Sequence, residues 1–373
     1  MKRKRIGIDI SRAFSSCPTG IEKYTSALLE NFFVFLKEEQ VTLYVRKDAK
    51  IPWKKIPKTW HIKEIRWRFF WTQIGLSWEM LFSPVEVLFV PSHTIPWISP
   101  KKTVVTIHGL EYERIPKGYS WYARTFMRFF VRRSCERASR IIAVSEATKK
   151  DIISFYHIDP NKITVVYEGP GFFQEKDVSV SGKDISKKLK EVDTFFLYLG
   201  RLEYRKNIIR IIEAFSIIKK RKKIKQKLIL AGSPGYGYKD IKKTLRKSSF
   251  SKDILELGYV NEQEKIWLLK NADILIFVSL SEGFGLPIME AQKMGIPLVV
   301  SDLPVFREIA GEQSFFVDFL NSNDISEKIG EVLDNSKETQ ERILLGKENV
   351  RRFSWEKSAQ EVSSIIKKEC YRI

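Results

Sequence analysis

Two glutamates bracket a loop with two glycines in residues 279–290, SLSEGFGLPIME. Glu282 lies before Gly283 and Gly285, and Glu290 lies one turn into the helix predicted to follow them. Backbone amides of glycines, which no side chain covers, form a site for an anion such as phosphate when they lie at the positive N-terminus of a helix. Carboxylates beside that site are acceptors for hydroxyl groups. The segment therefore predicts a ligand that carries both phosphate and hydroxyls, as a nucleotide sugar does.

Two cations follow an earlier predicted strand of the same half of the chain. Arg201 and Lys206 lie in the loop after the strand expected at residues 194–199. A guanidinium and an ammonium close to such amides neutralise a diphosphate, most strongly as it departs. In a chain with 65 lysines and arginines, either cation alone also fits a solvated surface. Their shared position at the end of a strand favours the binding role.

The first half of the chain has polar residues in equivalent places. A strand at 6–10 leads through a loop with Gly20 to a helix at 21–36, and His108 directly follows a strand at 103–107. Ligands of open parallel sheets bind at the carboxyl ends of the strands. This position favours a functional imidazole for His108, whereas Gly20 alone fits a simple turn equally well.

The elements that must position these residues repeat along the chain. Strands and helices alternate up to residue 173, are interrupted by the polar linker 174–193, and then alternate again. We predict an α/β protein with two Rossmann-like domains facing across a cleft. Their expected extents are residues 1–182 and 190–354.

Composition narrows the function classes. The net charge of +20 favours an anionic partner, although a solvated lysine-rich surface explains it too. The three scattered cysteines indicate a reducing cytoplasm, and the sequence lacks metal-ligand spacing, an Asp-x-Asp pair, a signal peptide and a long apolar run. We expect a cytoplasmic protein, soluble or peripheral at the membrane, that needs no metal.

Two segments, residues 60–82 and 117–133, mix aromatic and basic side chains. Such segments dock on an anionic lipid surface or accept a lipid-linked substrate, stack on nucleic-acid bases, or simply contribute aromatics to the core. A non-catalytic nucleotide or nucleic-acid binding protein is accordingly the alternative function. Because neither segment matches a known nucleic-acid module, we do not expect a nucleic-acid partner.

Taken together, the motifs resemble glycosyltransferase family 4, and bacterial mannosyltransferases within it. The similarity spans residues 6–368. EGFGLPIME at 282–290 matches the Glu-x7-Glu signature of the family. Five other segments resemble family motifs: GRLEYRKN at 200–207, TGIEKY at 19–24, TIHGL at 106–110, AVSE at 143–146 and FSW at 353–355.

The resemblance implies a GT-B fold whose C-terminal domain binds the donor and whose last helix, 355–373, crosses back to the N-terminal domain. It implies a retaining, metal-independent enzyme without a cofactor, in which a nucleotide diphosphate sugar is the donor substrate. Arg201 and Lys206 would hold the diphosphate and stabilise the leaving nucleotide, Glu290 would bind the ribose, and Glu282 would bind the donor sugar.

The resemblance also assigns roles to residues that carry little signal of their own. Gly20 would close on the phosphates and His108 would lie near the transferred sugar. The backbone amides of the glycine loop, Gly283, Phe284, Gly285 and Leu286, would bind the sugar and its phosphates. The backbone that follows another strand, at Gly258 and Tyr259, would contact the base.

Two positions depart from the family pattern. Gly109 stands where many members carry an acid directly after the histidine, and Glu168-Gly169 replaces the usual Asn-Gly. The sequence therefore does not predict a His–Asp pair at His108.

The resulting hypothesis is a retaining hexosyltransferase for surface polysaccharide assembly. It would transfer a hexose, with GDP-mannose as the favoured donor, to a glycan hydroxyl. The acceptor would be lipid-linked and presented at an anionic membrane surface, the cytoplasmic face of the plasma membrane.

Overall fold

The computed structural model describes residues 4–14, 18–47, 49, 51, 53, 55–67, 69–171, 183–190 and 192–372. The chain divides into two compact units. The first comprises residues 1–113, 122–169 and 353–373, and the second comprises 114–121 and 170–352. Half of the predicted linker, residues 174–182 and 191, falls outside the described residues, so the domain boundary expected there stays a prediction.

A parallel sheet forms the centre of the first unit. Its described strands are β1 (Arg5–Asp9), β2 (Gln40–Arg46), β3 (Trp60–Ile65), β4 (Val87–Val90), β5 (Thr103–Ile107), β6 (Arg140–Ala143) and β7 (Ile163–Val165). Their order across the sheet is β3-β2-β1-β4-β5-β6-β7. Every residue of β4 and β5 is buried, because helices cover both faces of a parallel sheet. This explains why these strands are continuous apolar runs in the sequence.

The second unit repeats the arrangement. Its described strands are β8 (Phe195–Leu199), β9 (Lys227–Ala231), β10 (Ile254–Gly258), β11 (Ile274–Phe277), β12 (Leu298–Ser301) and β13 (Phe315–Val317). They pair in parallel in the order β10-β9-β8-β11-β12-β13. In both sheets the strand order reverses beside the first strand, which is the Rossmann arrangement. The predicted fold class, two Rossmann-like domains of α/β type, is confirmed.

Helices connect the strands. In chain order they are α1 (Gly20–Phe35), α2 (Ser77–Phe82), α3 (Glu111–Arg114), α4 (Trp121–Arg137), α5 (Glu146–Tyr156), α6 (Lys183–Lys188), α7 (Ile208–Lys222), α8 (Tyr238–Lys247), α9 (Glu262–Asn271), α10 (Leu286–Met294), α11 (Pro304–Ala310), α12 (Ser322–Asp334), α13 (Ser336–Asn349) and α14 (Trp355–Tyr371). A π-helical segment, Trp71–Leu76, runs directly into α2. None of the helices in the described part of the chain is both long enough and apolar enough to cross a membrane.

The C-terminal helix α14 belongs to the first unit. It packs along α1, where the rings of Trp355 and Tyr24 meet edge to face with centroids 5.8 Å apart. The hydroxyl of Ser358 donates to the carbonyl of Tyr167, and Lys4 Nζ donates to the carbonyl of Cys370 at 2.9 Å. The predicted return of the last helix to the N-terminal domain is therefore confirmed.

Strand β3 is an element that the sequence reading does not predict. It pairs in parallel with β2 at the edge of the first sheet, starting with Trp60 opposite Val41. Only its first and last residues are buried, so it lacks both the alternation of a half-buried strand and the apolar run of a central one. Trp60 anchors it, because the indole Nε1 donates to the carbonyl of Leu36 at 3.1 Å.

Candidate active site

The cations and the glutamate loop of the second unit follow neighbouring strands. β8 and β11 are paired at the point where the strand order of their sheet reverses, so the loops after them begin side by side. Asn207, in the loop after β8, connects this loop to its neighbours. Its side-chain amide donates to the carbonyl of Val278, after β11, at 3.0 Å and to the carbonyl of Phe319, after β13, at 2.7 Å. The amide of Leu280 donates to the carbonyl of Arg205 at 2.8 Å. Ligands bind at such switch points of open α/β sheets.

A buried group of four charges lies in these loops. Lys206 Nζ contacts Glu282 Oε1, and Arg205 Nη1 lies 3.2 Å from Glu282 Oε2. The other edge of the Arg205 guanidinium faces Glu203, with Nε 2.7 Å from Oε1. The side chains of Glu282 and Lys206 are only 9% and 11% exposed. Two carboxylates and two cations thus face each other in this group.

The cations set the protonation state of Glu282. Burial alone favours the neutral acid, but Lys206 and Arg205 overcome it and lower the pKa of the Glu282 carboxyl from its ordinary value. Glu282 is therefore an ionised hydrogen-bond acceptor at neutral pH. It is not a proton donor.

The structure separates the two predicted diphosphate cations. Lys206 is in the buried group, whereas Arg201 is exposed, and none of the described residues forms an ion pair with its guanidinium. Arg205, which the sequence reading does not single out, lies inside the group instead. The signal was present, because Arg205 shares the motif loop with Lys206. Arg205 and Lys206 both lie in a 3-10 turn at Tyr204–Lys206, whereas Arg201 precedes this turn.

The loop between β11 and α10 has the predicted shape. Gly285 adopts a φ of 113°, where a side chain is strained, and a Cβ there would lie 3.2 Å from both Ile288 and Phe306. Pro287 occupies the first turn of α10 and Gly295 caps its end in the left-handed conformation. The backbone of Gly283, Phe284, Gly285 and Leu286 therefore leads directly into a helix N-terminus, which attracts anions.

Glu290 has a buried partner that sequence reasoning missed. Lys265 Nζ on α9 lies 2.5 Å from Glu290 Oε1 and 2.7 Å from Glu262 Oε2. Lys265 and Glu290 are 4% and 3% exposed, respectively. Burial opposes the charge on Lys265, but the carboxylates of Glu290 and Glu262 raise its pKa, so the ammonium stays protonated. A lysine in the helical sequence of α9 gives no sign of which carboxylate it meets, since Glu290 lies on another helix, α10, 25 residues further along the chain.

Gly258 and Tyr259 end strand β10, on the same sheet as the charged group. Gly258 has a φ of 72°, a Cβ added there would meet no atom within 4 Å, and Tyr259 is 43% exposed. These open surroundings at the end of β10 are compatible with the expected base-binding role.

The two predicted residues of the first unit lie at the carboxyl edge of its sheet. Gly20 begins α1 and is exposed, while the amide of Thr19 before it donates to Glu22 Oε2 at 2.8 Å. His108 follows β5 and is largely buried, with Nδ1 3.2 Å from Glu168 Oε1 and Nε2 2.8 Å from the carbonyl oxygen of Pro91. Glu168, the other position that departs from the family pattern, thus supplies a carboxylate next to His108.

A second candidate surface is the aromatic face of the first unit. Trp97 and its neighbour Ile98 connect the two aromatic-basic segments. The ring of Trp97 stacks on Phe129 of α4, with centroids 6.4 Å apart, and the Arg133 guanidinium lies 4.0 Å from the Trp97 ring centroid. The backbone amide of Ile98 donates to Ser77 Oγ on α2 at 3.2 Å. α4 holds five arginines and one glutamate. We define this aromatic face by the exposed large apolar side chains of the segments that Trp97 connects: Phe69, Phe70, Ile74, Trp78, Leu81, Phe82, Trp97, Ile98, Tyr122, Phe126 and Phe129. Both predicted aromatic-basic segments contribute to it; Arg68 lies outside the described residues.

Comparison with known proteins matches both halves of the chain. Residues 35–169 match the family described as Glycosyltransferase Family 4, and residues 182–348 match Glycosyl transferases group 1. The O-antigen chain mannosyltransferase RfbU of Salmonella typhimurium is 26% identical over 263 residues, which are 70% of this chain and 68% of that protein. The O-antigen chain mannosyltransferase B of Escherichia coli is 24% identical over 257 residues, 69% of this chain and 68% of that one.

Solved structures agree with the fold. The Anabaena protein Alr3699/HepE, in complex with UDP and glucose, superposes with a TM-score of 0.71 over 98% of this chain and 100% of its own at 17% identity. WaaG, a glycosyltransferase involved in lipopolysaccharide biosynthesis, superposes with a TM-score of 0.71 over 97% of this chain and 99% of its own, at 12% identity. The chain is therefore a glycosyltransferase: its first half matches the family 4 model, its second half matches the group 1 model, and its fold is GT-B.

Proposed function

We propose that this glycosyltransferase moves a hexose from a nucleotide diphosphate sugar to a glycan hydroxyl, with retention of configuration and without a metal. The carrying observation is the buried group around Glu282, in which Lys206 and Arg205 lie at the switch point beside the N-terminus of α10. Cations and helix amides at one place suit a diphosphate, and the ionised carboxylate suits sugar hydroxyls.

Donor binding would rearrange the charges of this group. A diphosphate competes with Glu282 for Lys206, since the ammonium cannot remain fully paired with the carboxylate while it binds a phosphate oxygen. Glu282 is then released to accept hydrogen bonds from the sugar. Arg201, exposed in the same loop, supplies the additional positive charge that the developing negative charge on the leaving nucleotide requires.

The remaining residues bind and orient. Glu290, held by Lys265 at one oxygen, accepts from the ribose hydroxyls through the other. The backbone at Gly258 and Tyr259 meets the base. For Gly20 and His108 we keep the roles that the family resemblance implies: Gly20 would bind the phosphates and His108 would lie near the transferred sugar. Because departure of the diphosphate and attack by the acceptor occur on one face of the sugar, a donor phosphate oxygen takes the proton and a strong protein base is not needed.

The relatives suggest the sugar. RfbU and mannosyltransferase B are described as O-antigen chain mannosyltransferases, which supports mannose, GDP-mannose as the donor, and a role in surface polysaccharide assembly at the cytoplasmic membrane face. A panel of nucleotide sugars tests this proposal: turnover with GDP-mannose above all others is expected. Turnover confined to UDP sugars would remove the mannose assignment, and binding without transfer or hydrolysis would favour a non-catalytic nucleotide-binding protein.

We assign the aromatic face to an anionic membrane surface that presents a lipid-linked acceptor. Exposed tryptophans and phenylalanines next to the arginines of α4 combine apolar insertion with attraction to acidic lipids. Sedimentation with vesicles that contain an acidic lipid is expected at low salt and should weaken at physiological salt, where charges are screened over about 8–10 Å.

Variants separate this face from the general positive charge of the chain. Replacing Trp78 and Phe82 by serine should abolish sedimentation, whereas the same change at Tyr236, an exposed aromatic of the second unit, should not. The assignment fails if wild-type protein does not bind the acidic vesicles at low salt, or if the Tyr236 variant loses binding equally.

A further inference from the structure

Both nitrogens of the His108 ring face oxygens that accept hydrogen bonds. Nε2 is 2.8 Å from the backbone carbonyl of Pro91, and Nδ1 is 3.2 Å from the carboxylate of Glu168. The side chains of His108 and Glu168 are 10% and 4% exposed, so water hardly competes for these contacts. A carbonyl oxygen only accepts, and Nε2 must therefore carry a hydrogen.

The contact with Glu168 requires a second hydrogen. A neutral imidazole has a single N–H, and with that hydrogen on Nε2 the lone pair of Nδ1 would face a carboxylate lone pair. Two buried acceptors in contact without a proton between them are unfavourable. A hydrogen on Nδ1 converts the same contact into a charge-assisted hydrogen bond between an imidazolium and a carboxylate.

The other groups around the ring are compatible with a charge on it. Tyr24 on α1 meets the ring edge to face at 4.6 Å, and burial raises the pKa of its phenol. His93, after β4, lies at 5.4 Å; burial, then His108 and Arg12, place its pKa well below the ordinary value, so it is neutral. Glu111, at the start of α3, is the nearby acid on the chain segment that continues from His108. Glu168 is the acid in direct hydrogen-bond contact with the ring.

We propose that Glu168 is the positioning residue of His108, which it fixes as an imidazolium with hydrogens on both nitrogens. The proposal rests on the proposed function where it places His108 near the transferred sugar. Held in this way, the ring is a cation with no lone pair to accept a proton from the acceptor hydroxyl. The carboxylate comes from the loop after β7, whereas Gly109, directly after the histidine, has no side chain.

Nitrogen NMR of protein labelled at histidine tests the protonation state directly. The chain has four histidines, and the spectrum of His108→Gln assigns the resonances of His108. At pH 7.5 we expect the two ring nitrogens of the wild type to have the closely spaced shifts of an imidazolium. In Glu168→Gln, whose amide can donate to Nδ1, we expect the widely separated shifts of a neutral ring.

Controls separate charge from structure. Glu168→Asp should retain the imidazolium, and Glu136→Gln, which removes an exposed carboxylate of the same unit, should leave the His108 shifts unchanged. In sugar transfer, Glu168→Gln should lower kcat by about 10- to 100-fold, the range for one charge-assisted hydrogen bond, and should shift the pH profile.

A neutral ring in the wild-type protein overturns the proposal, whether or not Glu168→Gln folds. Identical His108 shifts in wild type and a folded Glu168→Gln variant overturn it as well. These results are independent of catalysis: an imidazolium in a protein that transfers no sugar would contradict the proposed function and leave the Glu168 pairing intact.

Discussion

Replacing Glu282 by glutamine removes the carboxylate that contacts both Lys206 and Arg205 while keeping the size of the side chain. The change leaves the two cations Lys206 and Arg205 with Glu203 as the remaining acid of the group. We therefore expect the unliganded protein to lose stability, and we expect Lys206→Met to lose stability for the complementary reason. The two side chains contribute as a pair.

The size of the effect follows from the geometry. At 3.2 Å, the separation of Arg205 Nη1 and Glu282 Oε2, unit charges attract by about 5 kcal/mol at an effective dielectric constant of about 20. Desolvation offsets part of this attraction, and removing one partner of a buried pair costs about 3–5 kcal/mol. Since the side chains of Glu282 and Lys206 keep some exposure, we expect each single variant to lose about 3 kcal/mol in the free energy of unfolding.

Urea denaturation of the wild type, both single variants and the double variant measures the coupling. The double variant should lose about 2 kcal/mol less than the sum of the singles, since it leaves no uncompensated charge at these positions. Arg221 and Glu327, an exposed pair of the second unit at 3.4 Å, form the control cycle, with coupling of at most about 1 kcal/mol. Additive losses within about 0.5 kcal/mol at Glu282 and Lys206 would refute the reasoning.

The same variants define the pH dependence. The pKa of Glu282 is lower in the folded protein than in the unfolded chain, so its contribution is complete above the unfolded value of about 4.3 and is lost as the pH falls through the folded value. The stability difference between wild type and Glu282→Gln should therefore be constant from about pH 6 to 7 and shrink below pH 4. A difference that grows on acidification would contradict the assignment of charge.

Three further changes test separate parts of the site. Arg201→Gln should lower kcat/KM for the donor by about 10- to 100-fold, the value of a charge-assisted hydrogen bond, without changing the unfolding curve, because the side chain is exposed; unchanged kinetics would remove Arg201 from the site. Gly285→Ala should cost about 1–3 kcal/mol of stability through its strained φ and crowded surroundings, and more than Gly258→Ala, where no atom lies within 4 Å of the added Cβ; equal losses would contradict the close packing of the loop. Treatment with a chelator should leave sugar transfer unchanged, and activity that is lost and then restored by a divalent cation would refute metal independence.

Much of the fold was predictable because the informative signals are local. Buried parallel strands are continuous apolar runs, and glycine loops follow them, so the alternation of strands and helices indicates two Rossmann-like domains. The boundaries of α10 were marked by Pro287 in its first turn and by Gly295 at its end. The meeting of the Lys206 and Glu282 loops also follows from sequence, since both loops leave the carboxyl edge of one sheet.

The missed features depend on contacts that are distant in sequence. Lys265 is 25 residues from Glu290, and Glu168 is 60 residues from His108, so neither pairing has a local pattern. β3 was not predicted because this edge strand, with its exposed charged residues, has no periodic pattern of apolar side chains. Composition does not indicate that Arg205, rather than Arg201, belongs to the buried group.

The configuration of the transferred sugar, measured with the variants of the charged group, tests the central claim most directly. Purified protein, GDP-mannose and a lipid-linked glycan acceptor should yield an α-mannoside, as identified from the carbon–proton coupling at the anomeric centre. Lys206→Met should abolish the product, whereas the control variant Arg221→Met should form it at the wild-type rate. Transfer of no sugar from any nucleotide donor, a β-linked product from this donor, or undiminished transfer by a folded Lys206→Met protein would contradict the account.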